Sequence, residues 1–84
     1  MSDARFHCPC CGYPTLSEPP PGTFDICTIC GWEDDNVQFN DPSYPGGANK
    51  MSLSEARTDF EMTGGRRPPT DEERQDRARQ AHSR

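Results

Sequence analysis

Apolar residues are scarce in this chain, at 30% of 84 positions with a mean hydropathy of −1.03. Nothing approaches the roughly 20 consecutive apolar residues of a membrane-spanning helix. The opening MSDARFHC also lacks the apolar run of a signal peptide, so a cytoplasmic protein is expected. An inventory this small builds one small core at most. Its expected members are Phe6, Tyr13, Leu16, Phe24, Ile26, Ile29, Trp32, Val37, Phe39, Tyr44, Met51, Leu53, Ala56, Phe60 and Met62; residues 66–84 add only Ala78 and Ala81.

Positive charge is equally scarce before residue 66. Arg5, Lys50 and Arg57 face ten acids there, a balance of −7, whereas residues 66–84 carry six arginines against four acids. Phosphate backbones are bound through Lys and Arg, so the acidic part argues against nucleic acid as a partner. No arrangement of side chains amounts to a catalytic apparatus. An enzyme is therefore not expected, and no small-molecule substrate is indicated.

What the chain does have is cysteine. Cys8/Cys11 and Cys27/Cys30 form two CxxCG units separated by residues 12–26, which reads as one four-thiolate metal site. Without a secretion signal, cysteines read as reduced ligands rather than disulfides. Zinc suits such a site because its filled d shell imposes no geometry of its own. Four thiolates on one zinc would move the net charge from −5 to near −7. They also leave no open coordination position for water or substrate, which argues against metal-assisted hydrolysis. With so little apolar material, the metal is expected to hold residues 5–62 together.

Around the cysteines, Ala4–His7 reads as a short strand and Tyr13–Leu16 as an extended partner. Gly12 and Gly31 supply the positive φ that lets each knuckle close. Thr23–Ile26 alternates polar and apolar residues as a half-buried strand does. Trp32 stands where an indole can cover the site. The stretch 40–49, rich in Asp, Asn, Pro and Gly, reads as an ordered loop. Ser52 and Glu55 then make a capping box for a helix that buries Leu53, Ala56 and Phe60 and ends at Gly64. Residues 1–64 are thus expected to form the metal-binding domain. In the polar tail 65–84, Thr70 and Glu73 repeat the capping-box pattern, but no apolar stripe follows, so the tail is expected to be marginally helical or disordered.

Three further features call for a reading. Cys10, the fifth cysteine, is expected to point away from the metal and remain a thiol. CPCC matches the CPxC site of thioredoxin-like oxidoreductases, but Gly12 and Pro14 would break the helix such a site opens, which leaves a redox thiol as the alternative role. His7 adjoins Cys8 and reads as a strand residue rather than a fifth ligand; His82 attracts no functional reading. Glu33, Asp34 and Asp35 read as a solvated turn or as a surface for a basic partner.

The knuckles CPCCGY and CTICGW resemble those of rubredoxin and of the rubredoxin-like domain of rubrerythrins, which implies bound iron and electron transfer as the alternative to zinc. Thr28 departs from that pattern, since proline usually stands there. More extensively, the run from CPCCGYPTL through GWEDD, QFNDPSYPGGAN and SLSEAR resembles the bacterial CPCC family of small cysteine-rich proteins, and RRPPTDEE resembles the segment that follows the helix in its members. This resemblance implies a small metal-binding fold of unassigned function and supplies no catalytic residues. The expected architecture is a small α+β metal-stabilised domain: a zinc-ribbon or rubredoxin-like double knuckle with a short β-hairpin, one packed helix and the polar tail. Its expected role is structural zinc binding by Cys8, Cys11, Cys27 and Cys30 in a module that contacts another protein.

Overall fold

Each CxxCG closes on itself by the same pair of backbone hydrogen bonds. The amide of Cys8 donates to the carbonyl of Tyr13 and that of Gly12 to Cys8; Cys27 donates to Trp32 and Gly31 to Cys27, all within 2.8–3.0 Å. Gly12 and Gly31 take φ of 81° and 82°, the left-handed conformation that glycine adopts without a Cβ penalty. These features belong to a computed structural model that describes residues 5–82. Ala4, the first residue of the expected strand, and the side chains of Ala81 and His82 lie outside the described residues.

The first knuckle is the turn of a two-stranded antiparallel hairpin. Strand β1 (Phe6–His7) pairs with β2 (Pro14–Leu16), with Phe6 opposite Leu16 and His7 opposite Pro14. Pro14 lacks an amide hydrogen and is tolerated because this sheet has only edges. The second knuckle is also the turn of a ribbon, joined by a bridge between Ile26 and Glu33.

That ribbon departs from the expected strand over 23–26. The Phe24 amide donates to Asp34 O and the Asp34 amide to Asp25 O, so two residues oppose one. This is a β-bulge, with Phe24 at φ 60° in the position a glycine ordinarily takes. Phe24 and Ile26 still share one face, but that face points outward, leaving each 56% exposed instead of in the core.

Helix α1 (Asn36–Asn40) was not anticipated. Asp35 caps it, its carboxylate accepting from the Val37 amide. The helix carries Gln38, which is fully buried and donates from Nε2 to the carbonyls of Tyr44, Asn49 and Met51. One side chain thereby orders the loop that composition alone marked as a series of turns. Helix α2 (Leu53–Thr63) has both bonds of the expected capping box and ends at Gly64 with φ 79°. It buries Leu53 and Ala56, while Phe60 meets the Tyr13 ring edge-on at 6.2 Å.

The C-terminal segment is helical in the structure. Asp71–His82 forms helix α3, opened by reciprocal bonds between Thr70 and Glu73. Lacking an apolar stripe, it docks through polar and aromatic contacts. His7 bonds Asp76 at 3.0 Å, and the Arg77 guanidinium lies 4.7 Å from the Tyr13 ring centroid.

The core is smaller than the apolar inventory implied. Of the fifteen expected members, Leu16, Ile29, Trp32, Leu53 and Ala56 are buried, and eight, including Val37, Phe39, Tyr44 and Met51, are exposed. Cys8, Cys11 and Cys27 complete the buried cluster. The molecule is a small α+β fold organised around its sulfurs.

Candidate metal centre

The two knuckles place Cys8, Cys11, Cys27 and Cys30 with all four sulfurs within 4.8 Å of one another. The closest approaches run between knuckles: Cys8 to Cys30 and Cys11 to Cys27, each 3.6 Å. None of the five cysteines is disulfide-bonded. A tetrahedral ion with metal–sulfur bonds of about 2.3 Å has sulfur–sulfur edges of about 3.8 Å. The observed spacings fit a single thiolate-bound ion of that size.

Contact between the thiols divides their acidities. Cys11 is pushed well above the ordinary thiol value, first by its hydrogen bond with Cys27, and Cys27 well below it, first by the same bond with Cys11. Cys30 is pushed up to about 12, first by its contact with Cys10. A divalent cation binding such a set would displace its thiol protons.

Further hydrogen bonds fix the sulfurs. The Cys10 amide donates to Cys8 Sγ and the Cys30 amide to Cys27 Sγ, both at 3.4 Å, and Thr15 Oγ1 donates to Cys27 Sγ at 2.9 Å. Trp32, 2% exposed, packs in the same cluster. Cys8, Cys11 and Cys27 are at most 2% exposed, and Cys30 is half-buried.

A family model described as cysteine-rich CPCC matches residues 6–83. The chain belongs to that family. The match spans both knuckles and continues through α2 and α3, so the CPCC family includes these helices as well as the two cysteine knuckles. A comparison with curated proteins finds no match.

Within this CPCC protein, the remaining expected site residues fall in different places. Cys10 stays outside the four-sulfur set, yet it is half-buried against the core and beside Cys30 rather than turned fully away. His7 is engaged by Asp76, as befits a strand residue.

The acidic turn is the clearest correction. Asp34 is fully buried and Asp35 is 4% exposed, and only Glu33 is half-buried. Asp34 Oδ2 accepts from the amide and hydroxyl of Thr23 at 3.0 and 2.8 Å. Asp35 Oδ2 accepts from the Ala48 amide at 2.8 Å, and Glu33 pairs its backbone with the Asn49 side chain through two bonds. Asp34 and Asp35 terminate loop backbone inside the fold, so their carboxylates are not solvated, whereas Glu33 engages only through its backbone and keeps a half-buried side chain.

Sequence reasoning also passed over Gln38, Asn49 and Thr15. A polar residue inside QFN or GGAN carries no local signal of burial, because the carbonyls and amides it serves lie 6 or more residues away. Among the described residues no helix is long and apolar enough to cross a membrane.

Proposed function

We propose that Cys8, Cys11, Cys27 and Cys30 hold one zinc ion in a structural role, and that the protein acts in the cytoplasm by contacting another protein rather than by catalysing a reaction. The observation that carries this reading is the mutual approach of exactly the four CxxC sulfurs, a full ligand set for a tetrahedral ion. A complete thiolate set leaves no position for substrate. Support for a binding role comes from apolar side chains left on the surface between Phe24 and Met51, among them Val37 at 49% exposure and Tyr44 at 43%.

Elemental analysis of protein purified without added metal tests the first half: one zinc per chain is expected. Cys8→Ser abolishes it and Cys10→Ser spares it; the reverse would reassign the ligands. For the second half, a pull-down compares wild type with Val37→Ser/Phe39→Ser. Unchanged recovery of a wild-type partner counts against this surface.

Iron is the second reading, favoured by the three hydrogen bonds onto Cys8 and Cys27 sulfurs. Hydrogen bonds to thiolate sulfur are a device that sets the potential of iron centres. A red protein with a reversible redox couple would establish electron transfer in place of structural zinc. A thiol sensor built on Cys10 predicts ready alkylation of the metal-loaded protein at that residue.

A further inference from the structure

Four arginines meet the two knuckles at matching positions. Arg57 Nε donates to the Pro9 carbonyl at 3.0 Å, and Arg67 Nη2 donates to Thr28 Oγ1 at 2.9 Å. Pro9 and Thr28 each follow the first cysteine of their CxxCG. The other two arginines lie on the glycines. A Cβ built on Gly12 would stand 3.2 Å from Arg77 Nε, and one built on Gly31 would stand 2.5 Å from Arg66 Nε. Gly12 and Gly31 each follow the second cysteine. Every knuckle therefore carries one guanidinium at its second residue and one at its fifth.

The arginines reach these places from separate parts of the chain. Arg57 comes from α2, Arg66 and Arg67 from the connection after it, and Arg77 from α3. The connection is held over the second knuckle by the Arg66 amide, which donates to the Ile29 carbonyl at 2.6 Å. Arg67 is braced by two bonds to the Glu73 carboxylate, at 2.9 and 3.0 Å. Arg57, Arg66 and Arg77 are exposed residues, so apolar burial does not account for their convergence. Charge does. Four thiolates on a divalent ion carry −2, in a part of the chain whose other charges already sum to −7 over residues 1–65. The guanidinium group is a diffuse, weakly hydrated cation that lies flat on backbone, whereas an ammonium is a compact, strongly hydrated one.

We propose that Arg57, Arg66, Arg67 and Arg77 form a counter-charge shell around the loaded centre, a set of positioning residues that strengthens metal retention by offsetting the charge of the thiolate–metal unit. The basic C-terminal segment is then part of the metal site, and Thr28, the residue that departs from the rubredoxin pattern, is one of its docking points. This inference rests on the metal reading above.

The test measures zinc affinity of the full-length protein by competition with a chromophoric chelator, after elemental analysis of the wild type. Measurements at about 0.01 M and about 1 M salt shorten the screening length from roughly 30 to roughly 3 Å. Exposed charge pairs are each worth a factor of a few, so Arg66→Gln/Arg67→Gln/Arg77→Gln is expected to weaken binding about tenfold at low salt and by less than about threefold at high salt. The corresponding triple change to Lys keeps the charge and is expected to stay within about threefold of wild type at low salt. Lys50→Gln removes a positive charge that makes none of these knuckle contacts and is expected to have little effect.

An unchanged affinity in the Gln triple overturns the proposal. So does a loss that is independent of salt, equal in the Lys triple, or matched by the Lys50→Gln control. Should the Gln triple fail to fold, the Lys triple decides, since a tenfold loss there sinks the charge argument. A wild type that binds no metal defeats the metal reading itself, and is told apart from failure of the shell by the elemental analysis.

Discussion

Asp35 joins two distant pieces of backbone with one carboxylate. Oδ1 caps α1 at the Val37 amide and Oδ2 accepts from the Ala48 amide, both at 2.8 Å. Those two bonds, first the one from Ala48, hold its acidity below the ordinary value of 3.8. A depressed carboxylate adds stability that is full well above the unfolded value and is lost as the pH falls through the folded one. Asp35→Ala leaves two part-buried amides without their partner, each costing up to about 1–3 kcal/mol. A loss of about 2–4 kcal/mol in urea unfolding at neutral pH is expected on that basis. Asp35→Asn keeps an acceptor oxygen but not the charge. Its deficit against wild type, measured by the same unfolding at several pH values, is expected to shrink in acid below 3.8; a deficit constant with pH would mean the charge contributes nothing. The ligand cysteines were legible because thiolate chemistry and CxxCG spacing carry the whole signal locally. Asp35 was not, because a carboxylate's burial is decided by the amides that reach it, and Ala48 lies 13 residues away.

At the level of elements, the hairpin at the first knuckle and the capped helix α2 follow from short-range rules, whereas the bulge at Phe24 and the docking of α3 do not. Alternation over Thr23–Ile26 gave no sign that Phe24 and Asp25 would share one partner. With its ring 56% exposed and its φ at 60°, Phe24 loses little packing and relieves a left-handed conformation when replaced by glycine. Phe24→Gly is therefore expected to be neutral or stabilising by up to about 1 kcal/mol in chemical denaturation, whereas a Phe in a regular strand would cost more than that on the same change. The signal for α3 was hidden for a related reason. Its anchors, such as His7 to Asp76, are polar pairs between opposite ends of the chain, invisible to any search for an apolar stripe. Glu73 holds the start of this helix, and its acidity is lowered below the ordinary 4.5, first by the hydrogen bonds from Arg67 and then, more weakly, by that from Thr70. The sign matches that of Asp35: α3 docking is strongest well above 4.5 and is lost as the pH falls through the folded value of Glu73. Amide exchange in 71–79, corrected for its intrinsic pH dependence, is expected to rise on acidification in wild type. In Glu73→Gln it should be fast already at neutral pH and nearly independent of pH; strong protection in that variant would show that the pair does not hold the helix.

For the molecule as a whole, the decisive quantity is how little apolar surface the fold encloses. Five side chains of the expected core are buried, and the spaces between them are filled by sulfur and by hydrogen-bonded Asp34, Gln38 and Ser52. Polar groups of that kind specify an arrangement more than they drive its formation, since a typical internal hydrogen bond contributes only about 1 kcal/mol net. The elements after residue 52 are also referred back to the knuckles and their flanks: α2 through the Arg57 bond to Pro9, the following connection through Ile29, and α3 through Tyr13 and His7. A structural zinc contributes about 10–16 kcal/mol in small peptides, at or above the roughly 5–15 kcal/mol by which whole domains are stable. With the proposed ion bound, its removal would therefore exceed what the remaining contacts can sustain. Chelation is expected to abolish the near-ultraviolet dichroism of Trp32 and collapse amide protection across residues 5–62 together, with α3 losing its docking surface in the same transition. Adding back one equivalent of zinc restores all three. A chelated protein that kept its protection in β1, β2 and α2 would locate the stability in side-chain packing, and would reduce the four sulfurs from the organising centre of the fold to an accessory of it.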